Sequence, residues 1–341
     1  MPLQDIPTML GHLHRRLFGA HPMVQPVNLR GRTMIVTGAS PGSIGFETAR
    51  TLASWGATVI ITTRSQPQTT ADVLRRHLHQ QGKSADIDAH ALDLADANSV
   101  FAFAHWYEKN HGTTLDALIN NAGIHLDLAG TWKQPQLTAD GFEIHWRTNF
   151  LGTQHLTLLL LPFLKNAAKN SGDARVVNVT SHLHTRGTNN GLFMPIVPFH
   201  SWTAYGQSKL ALVHSAFEIE RRFADQGVHG FALHPGSIHT NISDKGLATR
   251  PVLRLLRQWF SPLEALVLLT PEQGAQTQLH CATAPNLKGG VYFERCAPAT
   301  CSTELDNFTA AQRLWRETES WVESLKQDNL PLLARKETAH V

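Results

Sequence analysis

The chain has few cysteines, no long apolar run and little net charge. Its 341 residues include three cysteines, too few for a disulfide framework, which fits a reducing compartment. The net charge of +3 is too small to indicate nucleic acid or an anionic membrane as a partner. These absences leave an ordinary globular protein, which we expect to be cytoplasmic.

No stretch of 18 apolar residues occurs, so we expect no transmembrane segment. The longest apolar run, Leu156–Leu164, contains Pro162, and we interpret it as the buried end of a helix predicted from about Thr138. The N-terminus also lacks the apolar stretch and cleavage site of a secretory signal. We interpret residues 1–30 as an extension that packs on the domain. Peripheral membrane association or a transit peptide is the alternative, because residues 9–20 are basic and partly apolar.

Metal ligands at a recognisable spacing are missing as well, although the chain contains 20 histidines. Three pairs of histidines have a spacing that metal sites use, namely His12-x-His14, His77-x-His79 and His182-x-His184. None of the pairs has a third ligand nearby in the sequence. We therefore predict no metal site.

What the sequence does contain is a regular alternation of apolar, β-rich runs and segments of helical periodicity. The alternation extends from Thr33–Thr37 to Gly290–Phe293 without a linker or repeat, and its last predicted helix spans about Pro271–Thr283. The runs are apolar on both faces, which is typical of a parallel sheet covered by helices on both sides. We predict a single α/β domain over residues 31–298, with a doubly wound (Rossmann) parallel sheet of about seven strands. Residues 299–341 are interpreted as one more helix and a frayed tail.

A glycine-rich turn follows the first predicted strand and precedes the first predicted helix. Glycines let the backbone approach a pyrophosphate at the helix N-terminus, where free N–H groups and the helix dipole favour negative charge. The strand–turn–helix context predicts a dinucleotide-binding turn. Its candidate cofactor contacts are Gly38, Ser40, Gly42, Ser43, Ile44 and Gly45.

The second strand ends in Thr62-Thr63-Arg64-Ser65, without the acid that usually bonds the ribose 2′-hydroxyl of NAD. An arginine suits a 2′-phosphate instead, so Arg64 predicts NADP(H) in preference to NAD(H). The turns after the third and fourth strands lie at the same edge of a parallel sheet, where such sheets bind ligands. They add the candidate cofactor contacts Asp93, Leu94, Asn121, Ala122 and Gly123.

Tyr205 and Lys209 are four residues apart in a segment with helical periodicity, so their side chains share one face. An ammonium beside a phenol lowers the phenol pKa towards neutrality. Such a phenol can exchange a proton with an alcohol or carbonyl oxygen. Taken alone, a tyrosine and a lysine at this spacing are more often part of a solvated face.

Taken together, these motifs resemble the short-chain dehydrogenase/reductase family over about residues 31–293. The matching residues are the glycine-rich turn, Asp93-Leu94, Asn120-Asn-Ala-Gly123, Asn149, Ser181, Tyr205-x-x-x-Lys209 and His234-Pro-Gly236 leading to Thr240. Phe46-Glu-Thr-Ala49 and Gly289-Gly-Val-Tyr-Phe293 are similar to the retinol-dehydrogenase-like branch. One departure is an extra residue before Gly45, so that either Gly42 or Ser43 takes the middle position of the turn.

The resemblance implies a role for each catalytic candidate. Tyr205 would donate or accept the proton, and Lys209 would lower its pKa and bond the nicotinamide ribose. Ser181 would hold the substrate oxygen. Asn149 would seat a water in a proton relay, with a helix-bending buried amide as the alternative. The resemblance also implies a homodimer or homotetramer and four further cofactor contacts, namely Pro235, Gly236, Ile238 and Thr240.

Two long segments, about 182–204 and 236–270, carry many apolar and aromatic side chains. Long loops in a compact domain are often binding loops, and apolar linings suit an apolar ketone, aldehyde or secondary alcohol. We name His184, Phe193 and Trp202 as candidate substrate contacts. The second segment is equally well interpreted as a helix that packs its leucines on the core or on a partner subunit.

The sequence thus predicts an NADP-dependent oxidoreductase with Tyr205 as general acid/base. Two alternatives stay open. One is a nucleotide-binding regulatory protein with little turnover. The other is a non-redox enzyme, a dehydratase or cyclase, on the same fold, because a fold does not determine its reaction.

Overall fold

The computed structural model describes residues 21–236 and 269–337, with side chains described as far as residue 327. Its strands form one sheet in the order β3-β2-β1-β4-β5-β6-β7-β8. The first seven pair in parallel, and β8 is a short antiparallel addition. The strands are β1 (Thr33–Thr37), β2 (Thr58–Thr63), β3 (Ile87–Ala91), β4 (Ala117–Asn120), β5 (Ala174–Val179), β6 (Val228–His234), β7 (Tyr292–Glu294) and β8 (Ala297–Pro298). This arrangement confirms the predicted doubly wound α/β fold.

Helices cover both faces of the sheet. They are α1 (Ile44–Ser54), α2 (Pro67–Gln80), α3 (Ala97–His111), α4 (Gly152–Ser171), α5 (Ser201–Phe223), α6 (Pro271–Thr283) and α7 (Phe308–Glu337). Apolar residues of α1, α2 and α6 pack on one face of the sheet, and those of α3 and α4 pack on the other. None of the helices in the described residues is long and apolar enough to cross a membrane.

The helix predicted over about Thr138–Leu161 is wrong at both ends. Residues 138–143 are not helical, because Gly141 has a φ of +84° and the Thr138 hydroxyl bonds Asp140 and the carbonyl of Phe142. At the other end, α4 continues through Pro162 to Ser171. Packing of its apolar face against the sheet offsets the hydrogen bond that proline removes.

Both terminal segments pack against the sheet domain where they are described. In the N-terminal segment, Leu29 is buried, and the backbone N–H of Val24 donates to Gln276 on α6 at 2.8 Å. In α7, Leu314 and Trp315 are buried against residues of α4 and α5. Residues 1–20 and most of the segment 236–270 lie outside the described residues.

Candidate active site

The carboxyl ends of the parallel strands surround a cavity of about 400 Å³. The cavity lies where the strand order reverses between β1 and β4, the place where doubly wound sheets bind ligands. Most of the predicted cofactor residues line it, namely Gly38, Ser40, Ser43, Ile44, Arg64, Asp93, Leu94, Asn121, Ala122, Gly123, Tyr205, Lys209 and Pro235. Gly42, Gly45 and Gly236 are not in contact with it, and Ile238 and Thr240 lie outside the described residues.

The glycine-rich turn is shaped by two close backbone approaches. Gly38 has a φ of +70°, and a Cβ at this position would lie 2.8 Å from the Cα of Ala122. A Cβ at Gly45 would overlap the side-chain amide of Asn121. Because no larger residue fits at either position, the turn packs directly against Ala122 and Asn121, which follow β4. Such a cradle suits a pyrophosphate at the start of α1.

The extra residue in this turn is accommodated by Gly42 and Ser43. Gly42 has a φ of +74°, a conformation that favours glycine. Ser43 is the N-cap of α1, since its hydroxyl accepts from the N–H of Phe46 at 3.1 Å and donates to the carbonyl of Gly38 at 3.3 Å. Ser43, rather than Gly42, lines the cavity.

The Asn120–Gly123 motif connects this turn to β4. The Asn121 amide donates to the carbonyls of Thr37 and Gly38 at 2.8 and 3.2 Å, and its oxygen accepts from Gln278 on α6. These bonds hold the glycine-rich turn in place. Asn121 is therefore a brace for the turn as well as part of the cavity wall.

Arg64 follows β2 at one end of the cavity and is exposed to solvent. Within the described residues its guanidinium makes no ion pair with an acid. Asp93, at the end of the neighbouring β3, accepts from the N–H of Ala95 at 2.9 Å and closes its own turn. The cation at this end is thus available to an anionic ligand.

Tyr205 and Lys209 lie at the other end of the cavity on α5. The Lys209 ammonium is 5.6 Å from the centre of the Tyr205 ring and donates to the carbonyl of Val179 on β5 at 2.9 Å. Burial lowers the pKa of Lys209 to about 8. Burial also raises the pKa of Tyr205 to about 12, although a hydrogen bond from Ser181 acts in the opposite direction. The net shift of the Tyr205 pKa is thus upward and not towards neutrality, because desolvation of the phenolate by burial is its largest cause.

Ser181 follows β5, immediately after the cavity-lining residue Thr180. His184 lies behind it and is fully buried. The Nδ1 of His184 donates to the carbonyl of Ser181 at 2.7 Å, and its Nε2 accepts from the N–H of Ser302 at 3.1 Å. Both ring nitrogens are thus engaged by the backbone. His184 is placed to brace the Ser181 turn and does not line the cavity.

Asn149 lies in a π-helical turn, Trp146–Leu151, that leads into α4. Its side chain exchanges two hydrogen bonds with the backbone of Ile124, at 2.8 and 2.9 Å, and donates to Ser208 at 3.1 Å. A Cβ on Gly123 would lie 3.2 Å from the Lys209 ammonium and 3.4 Å from the Asn149 oxygen. Asn149 and Lys209 therefore meet beside Gly123. Single π-helical turns are frequent at functional sites.

His125 was not among the predicted site residues, yet it lines the cavity beside Tyr205. Its ring stacks on the Tyr205 ring with the centres 4.0 Å apart and 12° between the planes. Burial lowers the pKa of His125 to about 3, so its imidazole is neutral. The Nε2 atom of His125 is buried and has no hydrogen-bond partner among the residues that the structure describes. The signal in the sequence that could have identified His125 is its position two residues after the Asn120–Gly123 motif.

Phe193 and Trp202 do not line the cavity around Tyr205. Trp202 donates to the carbonyl of Leu128 at 3.2 Å and contacts His125 edge-on, with the ring centres 4.7 Å apart. Phe193 lines a separate cavity of about 670 Å³ bounded by α7 and the segment around Phe142. The three candidate substrate residues thus lie in three places. His184 lies behind Ser181, Trp202 lies against His125, and Phe193 lines the separate cavity.

The remaining cavity-lining residues follow from the sheet, because most of them lie at or just beyond a strand end. Residues that sequence reasoning did not name are Thr62, Thr63, Leu92, Ala95, Ile124, Leu126, Ile144, Thr148, Val179 and Thr180. Strand boundaries alone locate several of them. Ile144 and Thr148 reach the cavity from the segment before α4, which no strand boundary indicates.

Comparisons with known proteins agree with this geometry. The family model described as short chain dehydrogenase matches residues 32–250. Human retinol dehydrogenase 12 is 36% identical over 317 residues, which cover 88% of this chain and 89% of that protein. Human dehydrogenase/reductase SDR family member 13 is 37% identical over 297 residues, covering 86% of this chain and 73% of that protein.

Solved structures show the same arrangement of the chain. The Pseudomonas aeruginosa RhlG/NADP active-site complex is 25% identical, with a TM-score of 0.59. The match covers 79% of this chain and 97% of that one. A crystal structure of an uncharacterized protein from Mycobacterium paratuberculosis is 29% identical with a TM-score of 0.64, and the match covers 89% and 98% of the two chains.

Proposed function

The chain belongs to the short-chain dehydrogenase/reductase family, and we propose that it is an NADP(H)-preferring oxidoreductase in which Tyr205 exchanges the proton. Its retinol-dehydrogenase-like relatives support an NAD(P)-dependent dehydrogenase or reductase. The observation that carries the proposal is a single cavity with a phosphate cradle and Arg64 at one end and the Tyr205–Lys209 pair at the other.

The cavity fits a nicotinamide dinucleotide. Gly38 and Gly45 let the turn pack directly against Ala122 and Asn121, and Gly38, Ser40 and Ser43 of the turn line the cavity. Lys209 lies at the far end, where its ammonium can bond a ribose hydroxyl. When bound, the nicotinamide supplies or accepts the hydride.

The chain's own residues handle the proton and the oxygen charge. With a pKa of about 12, the phenol of Tyr205 is protonated near neutral pH and can donate to a carbonyl oxygen that gains negative charge. Ser181 hydrogen-bonds the phenol and is positioned to hold the same oxygen. The Lys209 ammonium stabilises the phenolate that remains. We therefore propose that carbonyl reduction is favoured near neutral pH.

Asn149 keeps this arrangement in place from the other side of Gly123. Its hydrogen bonds to Ile124 and Ser208 tie the cavity wall to α5. We propose that it helps to pass a replacement proton towards Lys209. The burial of the Asn149 amide and its hydrogen bonds to Ile124 and Ser208 support its part in positioning the cavity wall.

The preference for NADP(H) rests on Arg64. A guanidinium at the end of β2 can bond a 2′-phosphate through two N–H groups. The RhlG/NADP complex, a structural relative, binds NADP as its name states. For the substrate we propose an apolar ketone, aldehyde or secondary alcohol, because the apolar side chains of Ile124, Leu126 and Ile144 line the same cavity as Tyr205.

The proton role is tested by Tyr205→Phe in the full chain. Loss of a positioned general acid should lower kcat for carbonyl reduction by about 10²- to 10⁴-fold while NADPH still binds. Tyr107→Phe is the matched control, since Tyr107 is buried far from the cavity and bonds Thr114. Near-full turnover by Tyr205→Phe would sink the assignment of the acid.

The cofactor preference is tested by Arg64→Gln, with exposed Arg76→Gln on α2 as the control. A lost charge-assisted bond of roughly 1.5–3 kcal/mol should weaken NADPH binding about 10- to 100-fold and leave NADH binding unchanged. Better binding of NADH than NADPH by the unaltered protein would contradict the preference. Tight NADPH binding without oxidation across a panel of carbonyls would favour the regulatory alternative.

We propose a cytoplasmic location, because three cysteines are too few for a disulfide framework. Cell fractionation compares this location with attachment to a membrane surface. Gel filtration with light scattering tests the proposed homodimer or homotetramer.

A further inference from the structure

Three metal-binding side chains meet at the carboxyl ends of β5, β6 and β7. They are His182, His234 and Glu294, and one ligand atom from each lies within 4.8 Å of the others. The Nε2 of His182 is 2.9 Å from a carboxylate oxygen of Glu294, and the rings of His182 and His234 are 4.2 Å apart. No such third ligand is near the His182-x-His184 pair in the sequence.

The sheet accounts for this meeting. His234 and Glu294 are paired residues of neighbouring strands β6 and β7, and paired residues of parallel strands present their side chains on the same face. His182 follows β5, the next strand across, at the start of a short 3₁₀ turn. His184, the other histidine of the sequence pair, is turned away to bond Ser181 and Ser302. Two of the three ligands are thus held by strand backbone rather than by a loop.

We infer that His182, His234 and Glu294 form a binding site for a divalent transition metal, best suited to Zn²⁺. Two imidazoles and one carboxylate are a ligand set that zinc uses when one coordination position is left to water or a small ligand. With bonds of about 2.0–2.2 Å, tetrahedral ligand atoms lie roughly 3.3–3.5 Å apart. The Nε2 of His182 and the Glu294 carboxylate, at 2.9 Å, are closer than this value, and all three ligand atoms lie within 4.8 Å of one another. The exposed His182 side chain would rotate slightly away from Glu294 to admit the ion.

The site is separate from the proposed redox chemistry. None of its three residues lines the cavity around Tyr205. His182 is, however, the residue directly after Ser181. A bound ion would link the turn after Ser181 to β7. It would thereby stabilise the position of Ser181 without entering the cavity around Tyr205.

Direct metal binding tests this inference without reference to activity. The full chain, produced without a histidine tag and stripped with a chelator, is titrated with Zn²⁺ in competition with a chromogenic chelator. Binding of Co²⁺ is followed by its visible absorption. The variants are His182→Ala, Glu294→Gln and the double variant, with exposed His79→Ala on α2 as the control. Thermal unfolding and circular dichroism of each apo variant establish that it is folded.

We expect one Zn²⁺ per chain to bind more tightly than any others. Each single substitution should weaken that site about tenfold or more, and the double variant should lose both the site and the intense Co²⁺ bands of low-coordinate geometry. His79→Ala should bind as the unaltered protein does. Binding should weaken on acidification, since the imidazoles must be unprotonated. Equal Zn²⁺ affinity in the double variant, or no binding by the unaltered protein, would overturn the inference and leave an ordinary His182–Glu294 ion pair.

Discussion

Replacing Lys209 with methionine tests how much stability the folded protein loses by burying the Lys209 ammonium. Lys209 is 3% exposed, and burial lowers its pKa from the ordinary 10.5 to about 8. At about 1.4 kcal/mol per pH unit, the shift corresponds to roughly 3 kcal/mol of stability lost when the ammonium is buried. Methionine has a similar length and no charge, so Lys209→Met removes this cost together with the bond to Val179.

The sign follows from proton binding. Between about pH 8 and 10.5 the unfolded chain holds a proton on Lys209 that the folded chain has released, so stability rises with pH in this window. The cost is fully present below pH 8. Relative to Lys209→Met, the free energy of unfolding of the unaltered protein should therefore rise by roughly 2–3 kcal/mol between pH 7 and pH 10.

Urea denaturation of both proteins at several pH values measures this difference. Lys169→Met, on the exposed surface of α4, is the matched control and should show no comparable change. A difference between Lys209→Met and the unaltered protein that stays constant with pH would refute the reasoning. It would mean that the buried ammonium keeps an ordinary pKa. Lys209→Met should in addition lose most of its turnover, so that stability and activity change separately.

Three further predictions follow from the site geometry. Because burial raises the pKa of Tyr205 to about 12, the rate of alcohol oxidation should rise about tenfold per pH unit above neutrality. The rate of carbonyl reduction should stay level below about pH 8, where Lys209 keeps its charge. A plateau of the oxidation rate near pH 7 would contradict this prediction. Gly45→Ala should weaken NADPH binding about tenfold or more in fluorescence titration, because the new methyl group displaces Asn121 from the cradle, and unchanged affinity would contradict the close approach. His125→Ala should lower kcat by about 2- to 10-fold and change KM less, because the ring stack on Tyr205 is lost. His125→Phe keeps a stacked ring and should keep most of kcat. Equal losses of kcat in the two variants would show that stacking is not the role of His125.

Local motifs predicted the fold and most of the cofactor residues that line the cavity. The apolar run Thr33–Thr37 is β1 with the predicted bounds, and Pro271–Thr283 is a helix with the predicted bounds. Both depend on neighbouring residues alone: a buried β-branched run in one, and a capping box with a proline in the first turn in the other. The predicted start at Thr138 was wrong because Gly141 and the Asp140 side chain favour a turn there.

Contacts between distant segments decided the rest. The stack of His125 on Tyr205 joins residues 80 positions apart in the chain, as their numbers show. The direction of the Tyr205 pKa shift depends on how completely the phenol is removed from water, which spacing to Lys209 does not reveal. His184 was predicted to contact the substrate. In the structure its ring bonds the backbone of Ser181 and Ser302, and it therefore lies behind Ser181.

The sequence by itself determined the alternation of strands and helices, the glycine-rich turn, the shared face of Tyr205 and Lys209, and the arginine after β2. Each of these depends on chain order and on the 3.6- and 2-residue periods of the backbone, which are local properties. Only the tertiary structure decided which side chains lose contact with water and which histidines meet across the sheet. Burial and strand pairing bring together residues that are far apart in the chain, and no local pattern records them. The His182, His234 and Glu294 cluster is the clearest case, because three strands had to be placed side by side before it existed.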